Sequence, residues 1–150
     1  MNAPRSSPWG TPDNIETVIP GHVWAVGTPS HGGYAVDPSW ARNKLSRPCV
    51  EIGESERGYL WYEEDCAWAV LAFEVPECLT SNPDYIEQNT AGMHCALRAW
   101  YPRYCVAGEI PIAEDYLLKK IAEFKGGDSY WKKLLDDFQY AYDMLYGGSK

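Results

Sequence analysis

A chain of 150 residues, 45% hydrophobic and 23% charged, is the size of one globular domain with a substantial core. Its five cysteines include no CxxC pair, and no apolar run approaches the roughly 20 residues that span a bilayer, which argues against a disulfide framework, a zinc knuckle and a membrane helix. The formal net charge of −8, and an N-terminus without the hydrophobic segment of a signal peptide, point to an acidic cytosolic protein that does not bind nucleic acid directly.

Taken in order, residues 1–12 are rich in Pro and Ser and read as a loose tail, with Pro8-Trp9-Gly10 able to pin its end against the body of a single domain over 13–150. β-branched and aromatic residues predict strands over 14–19 and 22–27 around a tight turn at Pro20-Gly21. Thr28 to Gly33 breaks the pattern and places His31 in a turn before a third strand at Tyr34 to Val36. Asp37-Pro38 then starts a helix to about Leu45, because Asp caps free N–H groups and Pro is tolerated in the first turn. Arg47-Pro48 ends that helix, Cys49 to Ile52 is expected as a strand, and Gly53 to Gly58 as an acidic loop.

From Glu63 to about Phe73 the expectation is a buried helix, with a strand as the competing assignment. Ser81-Asn82-Pro83-Asp84 signals the cap of a helix to about Trp100, followed by a linker through Gly108 and Pro111 and a helix over 113–124. In the last helix Trp131, Leu134, Leu135, Phe138, Ala141, Tyr142 and Leu145 recur at helical spacing until Gly147-Gly148. The fold class is therefore α+β: a small antiparallel sheet from the N-terminal third covered by helices, including a C-terminal amphipathic one.

The charge is concentrated. Between Glu51 and Glu77 stand eight acids against one base, Arg57, so nearly all the net charge lies there. Such a segment favours a basic partner, or else is a solvated face. The predicted binding residues are Glu51, Glu54, Glu56, Glu63, Glu64 and Asp65, with Trp100, Tyr101 and Tyr104, in a segment that reads either as a helix end wedged into the core or as an aromatic and Arg hot spot. Tyr130, Tyr140 and Tyr146 on the last helix offer a docking row through which the chain would form a homodimer.

An enzyme is the alternative, a hydrolase or transferase built on His31, Cys66 and Glu64. Cys66 would sit in a first helical turn whose free N–H groups stabilise a thiolate, although the adjacent acids oppose this. No metal or cofactor is expected: Glu63, Glu64 and Asp65 are successive, so a helix spreads them about 100° apart and at most two converge. His31 is read first as a turn residue whose ring bonds the acidic helix end.

The segments Pro8-Trp9-Gly10, Thr28-Pro-Ser-His-Gly-Gly-Tyr34, Trp61-Tyr-Glu-Glu-Asp-Cys-Ala-Trp68 and Leu97-Arg-Ala-Trp-Tyr-Pro102 resemble the successive motifs of an uncharacterised domain of unknown function found in bacteriophage and plasmid proteins. The resemblance covers about the first two thirds of the chain and leaves out the helices after Gly108. It implies a mobile-element setting and no particular activity. Small acidic proteins in that setting often occupy the nucleic-acid-binding surface of a host defence protein. The expectation is thus an anti-CRISPR-like or other anti-defence inhibitor in the cytoplasm of the bacterial host.

Overall fold

A computed structural model describes residues 1–79 and 83–147. They form two compact units, 1–94 and 95–150, with the division inside one helix. The fold is α+β, as expected.

The first unit is built on a five-stranded antiparallel sheet: β1 (Asn14–Ile19), β2 (Val23–Gly27), β3 (Gly32–Val36), β4 (Glu54–Glu56) and β5 (Tyr59–Glu63), in the order β1-β2-β3-β5-β4. The turn between β1 and β2 uses Gly21 at φ +79, which glycine adopts without a Cβ penalty. Between β3 and β4 lie helices α1 (Pro38–Lys44) and α2 (Arg47–Ile52), and α3 (Trp68–Glu74) follows β5.

Side chains alternate across a strand, so the register assigns each residue to a face. Trp24, Val26, Ala35 and Trp61 share one face, where Tyr59 and Trp9 pack on them. Residues 7–10 close a tight turn, Ser7 N–H to Gly10 O at 2.8 Å, and Trp9 meets Trp61 edge-on at 5.5 Å. The other face carries the helices: Tyr62 is fully buried, its hydroxyl donates to Cys49 O of α2 at 3.0 Å, and the Cys49 thiol donates to Val70 O of α3. Ala69, Val70, Leu71 and Ala72 are all buried, each large aliphatic side chain among them contributing about 1.5–3 kcal/mol.

Local structure departs from the expected elements at four places. The Arg47-Pro48 pair begins α2 instead of ending α1: Ser46 accepts from Cys49 N–H and Pro48 occupies the first turn, the same start signature as Asp37-Pro38, so residues 49–52 are helical and not a strand. The acidic loop contains the edge strand β4, which turns into β5 through Arg57 (φ +51) and Gly58 (φ +83), the paired positive φ of a tight hairpin. The helix expected from Glu63 starts only at Trp68, because Tyr59 to Glu63 pairs with β3 and β4 and a turn separates strand from helix. The linker after Trp100 contains helix α5 (Pro102–Ala107).

α4 (Ile86–Trp100) runs from the first unit into the second; its expected cap at Ser81-Asn82 lies outside the described residues. The second unit adds α5, α6 (Glu114–Phe124) and α7 (Ser129–Leu145). Leu97, Cys105, Leu117, Phe138 and Ala141 are fully buried there, and Phe124 stacks on Trp131 at 5.2 Å and on Phe138 at 5.9 Å. α6 stops at Lys125-Gly126, with Gly126 at φ +95. The Gly148 stop expected for α7 lies outside the described residues.

Candidate functional site

The eight acids of residues 51–77 have different fates. Glu51 pairs with Arg47 at 2.6 Å along α2, and Glu56 with Arg57 at 2.9 Å, both on the surface, where a pair contributes under about 1 kcal/mol. Glu74 is structural: it accepts from Ser46 N–H at 2.7 Å and Ser46 Oγ at 2.5 Å, which sets its negative charge at the start of α2. Glu63 accepts the Asp65 N–H at 3.1 Å and faces the Cys66 thiol at 3.4 Å. The remaining four, Glu54, Glu64, Asp65 and Glu77, are exposed, and among the described residues no hydrogen bond or ion pair holds their carboxylates. Glu54 stands on the sheet edge, where charge also discourages pairing with another chain.

The residues proposed for nucleophilic chemistry are not joined. His31 is exposed and shapes its turn through its backbone, its carbonyl accepting from Thr28 N–H and Thr28 Oγ1 at 2.8 Å and its N–H donating to Thr28 Oγ1 at 3.1 Å. Among the described residues its ring makes no hydrogen bond to a carboxylate or to Cys66, so the predicted pairing with the acidic helix end is not seen there. Cys66 lies before α3, not in its first turn, and its thiol donates to Glu63; an activated thiolate needs positive or N–H-rich neighbours. Cys49, Cys78 and Cys105 are buried, and burial pushes the Cys49 thiol up to about 12. Among the described residues no three His, Cys, Asp or Glu side chains gather as metal ligands, and no helix is long and apolar enough to cross a membrane.

The two motifs nevertheless meet, through glycine and glutamate. Gly32 and Gly33 point to opposite faces of β3. A Cβ on Gly32 would stand 2.6 Å from Glu64 Oε2, so the missing side chain is what lets the carboxylate lie against the sheet. A Cβ on Gly33 would stand 2.5 Å from Trp9 Cη2 and clash with the Tyr62 carbonyl oxygen. The Glu64 N–H donates to Gly32 O at 3.0 Å, extending the β3–β5 ladder and fixing the start of that side chain.

Around this carboxylate lies an open cavity of about 310 Å³, with a floor of Ala25, Gly27 and Gly32 and walls of Tyr34, Trp68 and Glu64. The Tyr34 hydroxyl donates to Cys78 O at 2.6 Å, and burial, with smaller contributions from Cys78 and Glu16, pushes it up to about 12. It stays a neutral phenol. Tyr34 and Trp68 were not singled out from the sequence, although both stand in the two motifs. The sequence shows the small residues Ala25, Gly27 and Gly32, but that Gly27 pairs with Gly32 and Ala25 with Tyr34 is set by register.

The aromatic residues expected to bind divide. Trp100 is 42% exposed and stacks on Trp131 at 6.5 Å, Tyr101 is half-buried at the start of α5, and Tyr104 is a core residue at 6% exposure. On α7, Tyr140 is exposed and carries the Arg103 guanidinium over its ring at 4.2 Å, while the Tyr146 hydroxyl donates to Ile112 O; the Tyr130 side chain lies outside those described.

No curated protein and no solved structure matches the chain. A family model matches residues 2–123, a span that runs past Gly108, where the motif resemblance stops, almost to the end of α6. That family is the domain of unknown function DUF7007, and the chain belongs to it.

Proposed function

We propose that this protein works by binding and not by catalysis, docking the acidic segment 51–77 of its first unit onto a basic, nucleic-acid-binding surface of another protein and thereby blocking it. In the mobile-element setting that the motif resemblance implies, the partner is a host defence protein in the bacterial cytoplasm, with a CRISPR effector as the leading target. The observation that carries the reading is the set of four exposed carboxylates, Glu54, Glu64, Asp65 and Glu77, that no described group neutralises. Free like charges on one segment cost solubility nothing but raise encounter rates with a positive surface by tenfold or more. The enzymatic alternative draws less support, since among the described residues His31 bonds neither Cys66 nor an acid. A homodimer through α7 has one observation in its favour, the exposure of Met144 (59%) and Leu145 (42%), and sedimentation at two concentrations tests it.

The experiment compares three proteins as baits in bacterial lysate: the wild type, a Glu54→Lys/Asp65→Lys/Glu77→Lys variant and a His31→Ala/Cys66→Ala variant. Retained proteins are identified and assayed for nucleic-acid binding with and without the bait. The reading predicts capture by the wild type and the His/Cys variant, loss in the charge-reversed one, and release of nucleic acid from the partner. Loss confined to the His/Cys variant would establish the alternative.

A further inference from the structure

We infer that the cavity beside Glu64 receives an arginine side chain of the protein partner, with Glu64 as counter-ion and Trp68 and Tyr34 as aromatic walls. The inference rests on the docking reading above and names the contact that gives it specificity.

Charge selects the sign of the occupant. Among the described residues, the ionisable group on the cavity wall that carries charge is the Glu64 carboxylate, set over the floor by Gly32. Two more acids flank it. Asp13 Oδ1 would lie 3.8 Å from a Cβ on Gly27, and Glu16 pairs with Ala25, on the face to which the floor belongs. Among the described residues no Lys or Arg lines the cavity, so a phosphate or carboxylate ligand would meet repulsion.

Shape selects the kind of cation. A volume of about 310 Å³ is at the small end of ligand sites, which span roughly 300–1,000 Å³, and suits one side chain better than a cofactor. The floor is two glycines and an alanine, which lets a flat group approach the sheet backbone closely. Guanidinium is planar, stacks on aromatic rings and offers a carboxylate two parallel N–H groups; a lysine ammonium is a strongly hydrated point charge without that plane. Glu64 is free to answer it, since among the described residues no group already bonds its carboxylate.

The test is an NMR titration of ¹⁵N-labelled full-length protein with end-blocked Gly-Arg-Gly, Gly-Lys-Gly and Gly-citrulline-Gly, the last matching arginine in shape without its charge. The expected result is a saturable shift of the Gly27 and Gly32 amides and the Trp68 indole N–H. Arginine peptide should bind about tenfold tighter than citrulline peptide and several-fold tighter than lysine peptide. Glu64→Gln should abolish the response. Gly32→Ala, whose new Cβ pushes the carboxylate off the floor while the spectrum stays dispersed, should weaken it by a similar factor. Equal binding of citrulline or lysine peptide, an unchanged Glu64→Gln, or shifts spread over Glu54, Asp65 and Glu77 in place of the cavity would overturn the inference. The two failures are distinguishable: peptide binding without any captured partner sinks docking and leaves only the cavity's selectivity for arginine, whereas full capture by Glu64→Gln sinks the arginine pocket and leaves docking.

Discussion

Gly33→Ala should be among the most damaging single-methyl additions in the first unit. Its Cβ would enter the space of the Tyr62 carbonyl oxygen, stand 2.5 Å from Trp9 Cη2 and lie 3.1 Å from Glu63 Cα. Two of these three neighbours are backbone of β5, paired with β3 through Gly33 and Glu63, so they move only if the strands separate. Overpacking typically costs 1–3 kcal/mol, and a clash with backbone belongs at the top of that range; Gly33 also stands at φ +157, which alanine rarely adopts, so no unfolded-state gain offsets the clash. The net loss is about 2–3 kcal/mol, which at a urea m-value near 2 kcal/mol/M lowers the midpoint by roughly 1–1.5 M. Urea unfolding followed by tryptophan fluorescence reads it directly. Gly32→Ala is the matched control: its Cβ meets the far end of the flexible Glu64 side chain and, at 3.3 Å, Val26 O, so it should change stability by less than about 0.5 kcal/mol. A Gly33→Ala midpoint equal to wild type, or equal losses for the two variants, would refute the placement of Trp9 and of the β3–β5 register.

Asp37 caps α1 by accepting the Ser39 N–H at 2.9 Å and lies 3.3 Å from His22 Nδ1. Burial alone would raise its carboxyl, but the hydrogen bonds from the Ser39 N–H and from His22 hold it below its ordinary value. A depressed carboxyl stabilises the fold above the unfolded value of about 3.9 and loses that effect as pH falls through the folded one, so Asp37→Ala should cost about 1 kcal/mol near neutral pH and progressively less in acid. Native-state alkylation near pH 8, read by mass spectrometry, should label exposed Cys95 first and half-buried Cys66 next, while Cys49 and Cys105, raised to about 12 and about 11 chiefly by burial, react only on unfolding; early labelling of Cys49 would contradict its burial. In the second unit Phe138→Ala should cost about 3–5 kcal/mol, because the ring is fully buried between Phe124 and Tyr116, and thermal melting by circular dichroism would register it.

Propensity and period found the elements whose signals are local. β1, β2, α1 and α7 carry β-branched alternation, an Asp-Pro start or an apolar stripe, and their boundaries lie within about a residue of the expected ones. The errors arose where pairing overrides local preference. Glu54-Ser-Glu56 has no strand former, and it is a strand because Tyr59 to Glu63 lies beside it. Trp61 and Tyr62 read equally as the approach to a helix, and only their pairing with Ala35 and Tyr34 decides for a strand. Ser46-Arg-Pro48 was misread although its cap signature matched Asp37-Pro38, since a proline soon after one helix is as good a stop as it is a start. The cavity depends on which glycines share a face, and that follows from register, which a single sequence does not display.

The central claim is that unpaired acids, and not His31 and Cys66, do the work. It is tested most directly by the association rate of the purified protein with its captured partner at low and high salt, compared among wild type, the Glu54/Asp65/Glu77 charge-reversed variant and the His31→Ala/Cys66→Ala variant. The rate should fall steeply with salt, drop about tenfold or more on charge reversal at low salt, and stay unchanged without the imidazole and thiol. A salt-independent rate that survives charge reversal, with function abolished in the His/Cys variant, would contradict it.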